Sequence, residues 1–270
     1  MENPDIAPNA ARCRFRRIVV KVGSNVLTRA DGTLDTDRMA ALADQIAALH
    51  RAGVEVIVVS SGAVGMGVGK LNLGARPRDT VGKQAAAAVG QCELMYTYDK
   101  LFSEYNRTVA QILLTAEDFR DEKRHRNFSN TMERLISLGV IPVINENDTV
   151  ATDEIEIGDN DTLAAMVADS AGAGLLVLMS DIEGLFTADP HRDPDAKLIP
   201  EVHCIDDGVM ALGGGSGAQG TGGMATKLIA ARIATSAGCD MVICDGSRPE
   251  NLYDIADGKK VGTRFFADKE

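Results

Sequence analysis

Nowhere in the 270 residues is there an apolar run near the roughly 18 that a membrane span requires, and the N-terminal MENPDIAPNAARCRFRR lacks the apolar segment of a secretory signal. A soluble, cytoplasmic protein without a membrane partner is therefore expected. Cysteine is sparse. Cys13, Cys92, Cys204, Cys239 and Cys244 are odd in number, scattered and without a CxxC pair, which argues against a disulfide frame or a zinc site and fits a reducing compartment. Most of them are expected to be small buried apolar residues. His50, His125, His191 and His203 are equally dispersed, so neither a histidine metal centre nor a nucleophilic triad has support, and no protein metal ligands are expected. Basic residues are outnumbered 39 to 28, for a net charge of -11. Phosphate backbones are held by clustered Lys and Arg, so nucleic acid is not an expected partner. Arg12, Arg14, Arg16 and Arg17 are preceded by Glu2 and Asp5 and read as a solvated lead-in (1–16) to the first strand. No low-complexity linker, internal repeat or shift of composition divides the rest, so 17–270 is expected to form a single domain.

What the chain does contain is alternation. RIVVKV (17–22), VEVIVVS (54–60), RTVAQILLT (107–115), VIPVIN (140–145), GLLVLMS (174–180) and DMVICD (240–245) are short apolar runs bounded by turn formers, the pattern of strands covered on both faces. Helix-like segments lie between them at 35–52, 80–105, 128–139, 160–172 and 223–237. Such alternation predicts right-handed βαβ units and a three-layer αβα fold on a mainly parallel sheet, with ligands in the crevice at the carboxyl ends of the strands. Two stretches depart from it. TVATDEIEIGDN (149–160) alternates apolar and polar residues and predicts a short hairpin over the crevice. ALGGGSGAQGTGGMATK (211–227) predicts a glycine-rich loop running into a helix.

The residues that follow each strand are then the candidates for chemistry. KVGSN places Lys21 and Gly23 at the first strand end, where the plainer reading is a solvated lysine and an ordinary turn. SSGAVGMG reads as a second small-residue turn beside it, and two such turns form a floor where backbone N–H groups meet ligand oxygens. VINENDTV sets Asn145, Glu146, Asn147 and Asp148 directly after an apolar strand. GDND adds Asp159, Asn160 and Asp161, of which only one is needed as a helix cap. Ser180 and Asp181 end another strand, and GTGGMATK delivers Lys227 in the first turns of a helix, where N–H groups, helix end and ammonium all favour anions.

Familiar nucleotide signatures fail. Before Gly69-Lys70, Val64 occupies the glycine position of a P-loop and Leu71 stands where Ser or Thr belongs. GSGAQG (215–220) matches GxGxxG, but no strand precedes it. There remain two lysines, glycine turns and a cluster of Asp and Asn. Phosphoryl transfer to a carboxylate needs only those, because an acceptor with a pKa of about 4.3 is already ionised and requires no general base.

KVGSNVLT, VVSSGAVGMG, AVGQCELM, QILLT, PVINENDTVAT, GDNDTLAA, GLFTADP and GTGGMATK, running in this order from about residue 17 to VGTRF (261–265), resemble the amino acid kinase family. They look most like its glutamate-phosphorylating branch. The resemblance implies an αβα sandwich with ATP and glutamate side by side along the strand ends. The implied activity is ATP-dependent phosphorylation of the L-glutamate side-chain carboxylate to L-glutamyl 5-phosphate and ADP, the first step of proline biosynthesis. By motif, Lys21 and Lys227 would hold the phosphates and stabilise the transition state, and Asp161 would orient both. Ser61, Asp148 and Asn160 would bind glutamate. ATP would be bound by Lys21, Ser180 and Asp181 and by Thr221, Gly222, Gly223, Met224, Ala225, Thr226 and Lys227. The resemblance also implies Mg²⁺, carried mostly on the nucleotide's own oxygens. Proline as feedback inhibitor, glutamyl phosphate reductase as recipient of the labile product and a homo-oligomer are further expectations of the same kind. Ser180 stands where Thr is common and keeps the hydroxyl. The chain stops shortly after VGTRF, so the PUA-like C-terminal domain that many members carry is not expected. The alternatives are an N-acetylglutamate or uridylate kinase of the same family, a nicotinamide-dependent oxidoreductase using GSGAQG, and a non-catalytic amino acid sensor. VINENDTVAT and GDND argue against the first, the weak glycine match against the second, and retention of Lys21 and Lys227 against the third.

Overall fold

The computed structural model describes residues 13–29, 34–151, 160–214 and 223–268. The apolar runs become strands: β1 (Arg17–Val22), β2 (Glu55–Ser60), β3 (Val109–Leu114), β4 (Ile141–Glu146), β5 (Leu175–Ser180), β6 (Glu201–Val202), β7 (Asp240–Asp245) and β8 (Thr263–Phe265). They form one eight-stranded sheet in the order β3-β4-β2-β1-β5-β7-β8-β6. From β3 across to β7 every pairing is parallel, whereas β8 runs antiparallel to β7. The expected αβα sandwich is thus the observed one. The two- and three-residue strands β6 and β8 were not anticipated, since runs so short carry no period.

Between the strands lie α1 (Ser24–Leu27), α2 (Thr36–Arg51), α3 (Ala63–Lys70), α4 (Thr80–Ser103), α5 (Ala116–Arg120), α6 (Glu122–Ser137), α7 (Asn160–Ser170), α8 (Asp207–Ala211), α9 (Met224–Ser236) and α10 (Asn251–Ala256). Side chains alternate across a strand, so β1 serves both cores. Ile18, Val20 and Val22 pack in one cluster with Leu42 and Ile46 of α2, Leu94 and Tyr98 of α4 and Leu252 of α10. Val19 packs in the other with Leu163 and Val167 of α7, Leu228 and Ala231 of α9 and Met132 of α6. Lys21 has the parity of Val19, so its side chain rises on the α7 and α9 side. Among the described residues no helix is long and apolar enough to cross a membrane.

Several expectations need correction. SSGAVGMG is not a turn: from Ala63 it continues as helix α3. Its glycines give it little intrinsic helicity, and packing on α4 supplies the rest. An added Cβ on Gly90 would fall on the Ala63 carbonyl, and one on Gly67 would fall on that of Ala86, so the two helix backbones touch. α6 starts six residues before the expected 128, capped by Asp121, whose side chain accepts from the Arg124 amide at 2.8 Å. Its polar first turns hid the start. Arg17 is not a solvated lead-in residue: it donates to Glu55 at 2.8 Å, to Glu133 and to the Ala171 carbonyl, tying β1 to β2, α6 and the end of α7. Only Cys239 and Cys244 of the cysteines are buried, where desolvation pushes both thiols up to about 12. Residues 152–159 of the predicted hairpin and 215–222 of the glycine-rich loop, GSGAQG among them, lie outside the described residues.

In an open helix Gly→Ala gains about 1 kcal/mol. For Gly90→Ala the clash with α3 should win, lowering the unfolding free energy by about 1–3 kcal/mol. Urea denaturation measures this, and an unchanged or higher midpoint would show that the two helices can part freely.

Candidate active site

Because β1, β2, β4 and β5 are parallel neighbours, their carboxyl ends open on one edge. That edge carries Lys21, Ser61, the Asn145–Glu146 pair and Ser180 with Asp181. α7 begins there with Asn160 and Asp161, and α9 brings Lys227 in its first turn. A cavity of about 440 Å³ opens between them, lined by Lys21, Lys227, Ser61, Asp148, Asn160 and Asp181 among others. It adjoins a second cavity of about 300 Å³, which shares Ser180 and Asp181 with it.

Its floor is electrostatic. Asp161 is wholly buried, and Lys21 and Lys227 are 5% and 4% exposed. The Lys21 ammonium is ion-paired to Asp161 Oδ1, and Lys227 Nζ lies 3.0 Å from Oδ2. An isolated buried ammonium is expensive, so one carboxylate shared by two offsets much of the cost and leaves one positive charge in excess. The plainer reading of Lys21 as a solvated strand-end lysine is thereby corrected.

On one flank Asn160 Nδ2 donates to Ser61 Oγ at 2.7 Å and to Asn145 Oδ1 at 3.0 Å. Asn145 Nδ2 in turn donates to Gln91 Oε1 of α4 at 2.9 Å. This chain fixes the hydroxyl and amides that face the cavity. Burial pushes the Asp148 carboxyl above the usual carboxylate range, opposed by the Arg76 guanidinium. On the other flank burial also acts on Asp181, but hydrogen bonds from Asn25 at 2.8 Å and Ser180 at 3.1 Å, with the field of Lys227, outweigh it and hold Asp181 below that range. Gly23 lines the cavity too. An added Cβ there would meet the Met179 carbonyl no closer than 3.5 Å, so what its absence spares is cavity space rather than an internal clash.

Of the residues expected from sequence, Lys21, Ser61, Asp148, Asn160, Ser180, Asp181 and Lys227 line one cavity, with Asp161 beneath them. Gly223 caps α9, and Met224, Ala225 and Thr226 form its first turn without lining the cavity. Thr221, Gly222 and Asp159 lie outside the described residues. Sequence reasoning missed Asn25, Arg76 and Gln91. Asn25 and Gln91 sit inside the segments KVGSNVLT and AVGQCELM, whereas nothing marked Arg76. Among the described residues no three His, Cys, Asp or Glu side chains are grouped as a metal would require.

A parallel sheet whose carboxyl edge opens on paired cations is suited to an anionic ligand. Residues 16–245 match the amino acid kinase family, and the chain belongs to it. Curated relatives carry the name glutamate 5-kinase. The one from Clostridium tetani is 52% identical over 94% of this chain and 96% of its own length. The one from Symbiobacterium thermophilum is 50% identical over 93% and 95%, and that of Caldanaerobacter subterraneus is 51% identical over 93% of this chain and 68% of its own. Among solved structures the fold is similar to UMP kinase from Bacillus anthracis, with TM-score 0.66, 16% identity and coverage of 94% and 97% of the two chains. It is likewise similar to carbamate kinase from Giardia lamblia bound to AMP-PNP, with TM-score 0.68, 17% identity and coverage of 95% and 100%.

Asp161→Asn keeps the shape and removes the shared charge, leaving two buried ammonium groups uncompensated. Stability should fall by about 3–5 kcal/mol in urea denaturation, and no loss would mean that both lysines reach water.

Proposed function

We propose that this chain transfers the γ-phosphate of ATP to the side-chain carboxylate of glutamate, yielding glutamyl 5-phosphate and ADP as the first step of proline synthesis. The observation that carries the reading is the Lys21–Asp161–Lys227 group opening on the cavity that Ser61, Asp148 and Asn160 also line. Relatives named glutamate 5-kinase at about half identity over nearly the whole chain supply the acceptor.

In this reading the acceptor carboxylate enters already ionised, so no side chain need remove a proton. The difficulty is to bring two anions together. Lys21 and Lys227 flank the migrating phosphoryl group and meet the charge that grows on its oxygens, and Asp161 holds both ammonium groups in place. Asn160 and Ser61, fixed through Asn145 and Gln91, orient the glutamate, and Asp148 receives its ammonium. Ser180, Asp181 and the residues leading to Lys227 bind the nucleotide. Mg²⁺ would ride on the nucleotide's oxygens and neutralise phosphate charge, with Asp181, held ionised at the cavity wall, placed to meet its hydration shell.

A single domain over 17–270, cytoplasmic location, a homo-oligomer, proline as feedback inhibitor and a reductase that consumes the acyl phosphate belong to the same reading. That β1 near one end and β7 and β8 near the other share one sheet supports the first.

The test is formation of a hydroxamate when glutamate, ATP and Mg²⁺ are incubated with hydroxylamine, which displaces phosphate from the acyl phosphate, with and without proline, alongside ADP release with N-acetylglutamate and UMP. Glutamate should be preferred, and Lys227→Ala should lower turnover at least about a hundredfold. Preference for either rival, or normal turnover without Lys227, would overturn the assignment.

Asp148 gives a pH signature. A substrate ammonium binds its ionised form, and its raised pKa means that this form is lost at a higher pH than for an ordinary carboxylate. KM for glutamate should therefore climb as pH falls through that raised pKa. Asp148→Asn should bind glutamate weakly with no such climb; an unchanged profile would remove Asp148 from the substrate.

A further inference from the structure

We propose that Arg76, in the segment between α3 and α4, binds the α-carboxylate of the amino acid substrate while Asp148 binds its α-ammonium, so that the pair recognises a zwitterionic head group. This rests on the function proposed above and assigns the end of the substrate remote from the phosphoryl group.

Arg76 and Asp148 line the same cavity as Ser61 and Asn160. The guanidinium is near enough to act electrostatically on the Asp148 carboxyl. Yet among the described residues Arg76 forms neither a hydrogen bond nor an ion pair, although exposed arginines elsewhere, such as Arg29 and Arg124, are engaged by neighbouring acids. Its planar donors match a carboxylate in two parallel bonds, a geometry that the point charge of a lysine does not offer.

The geometry of the reaction favours this placement. If the side-chain carboxylate faces the Lys21 and Lys227 ammonium groups, the head of the substrate must point away from them. An α-carboxylate beside Asp148 alone would be repelled. A cation and an anion set together on that wall instead complement a carboxylate and an ammonium on one carbon, and penalise an acetylated amine, which offers Asp148 no charge.

Steady-state kinetics of the wild type, Arg76→Gln, Arg76→Lys and Asp148→Asn provide the test, with γ-aminobutyrate, which lacks the α-carboxylate, and glutarate, which lacks the ammonium, as competitive inhibitors. Arg76→Gln should raise KM for glutamate about tenfold to a hundredfold while kcat and KM for ATP stay within about threefold. It should weaken glutarate in proportion and leave γ-aminobutyrate within about threefold. Asp148→Asn should do the reverse, and Arg76→Lys should recover part of the glutamate affinity. Equal weakening of all three ligands, or a rise confined to ATP, overturns the clamp. An unchanged KM for glutamate in Arg76→Gln of an active enzyme overturns the clamp alone, whereas absence of glutamate turnover by the wild type overturns the proposed function together with it.

Discussion

The site depends on one carboxylate held between two ammonium groups. Asp161 sits at the first turn of α7, Lys21 on β1 and Lys227 on α9, so a single charge cluster joins three elements distant in sequence. Each member would be costly to bury alone, and together they leave one positive charge in excess beneath a polar cavity. Removing one partner from such a buried group leaves uncompensated charge and costs about 3–5 kcal/mol, a large share of the net stability of many domains. That scale makes the cluster a constraint on folding as much as a tool for chemistry. α7 and α9 must pack on the face of β1 that presents Lys21, and the apolar residues Val19, Leu163 and Leu228 are patterned to make them do so.

The opposite wall is set by backbone contact rather than charge. Gly67 and Gly90 let α3 and α4 approach until carbonyls occupy the places of side chains. This fixes the start of α3, where Ala63, Val64 and Gly65 line the cavity beside Ser61. Gln91, the residue after Gly90, accepts from Asn145 at the end of β4, joining α4 to the sheet. One helix pairing therefore positions both the backbone that faces the ligand and the amide chain that aims Asn160. A glycine-rich segment that reads as loose is in this case the more tightly determined part of the site.

Legibility followed burial. Apart from the edge strand β3 the long strands are hidden almost throughout, so their apolar runs stand out, and RIVVKV interrupts its run with Lys21 next to its last residue. Parity then places it on the Val19 face, but which helices cover that face is a matter of tertiary arrangement that no local pattern records. α3 was illegible because its helicity comes from α4 and not from its own residues. The start of α6 was hidden by charge, and Arg17 was misjudged because its partners Glu55 and Glu133 lie far along the chain. The Asn160–Asn145–Gln91 chain was half visible: VINEND and GDND drew attention to Asn145 and Asn160, while the terminal acceptor Gln91 lies 54 residues away from Asn145. Some ordered segments proved structural. Thr263 of VGTRF donates to the Ile199 carbonyl at 2.6 Å and accepts from the Leu185 amide of GLFTADP at 2.7 Å, binding a long connection to the sheet.

The remaining question is how a chain with net charge -11 manages anionic substrates. Summed charge is a poor guide, because the cavity itself contains both signs: Lys21, Lys227 and Arg76 against Asp148, Asp181 and Glu146, with Asp161 beneath. A pocket with uniform positive charge would hold any polyanion and would bind product as tightly as substrate. Separation of the charges does something different. In the proposed reaction the excess cation faces the phosphoryl group, and burial keeps water from screening it. A carboxylate near the edge lies where an ammonium can meet it. An anion that carries no ammonium at the right distance would gain the first interaction and leave Asp148 without a partner. In the proposed reading, selectivity for an amino acid over a simple diacid rests on the spacing of fixed charges along the cavity, which the register of a parallel sheet and two helix starts determine.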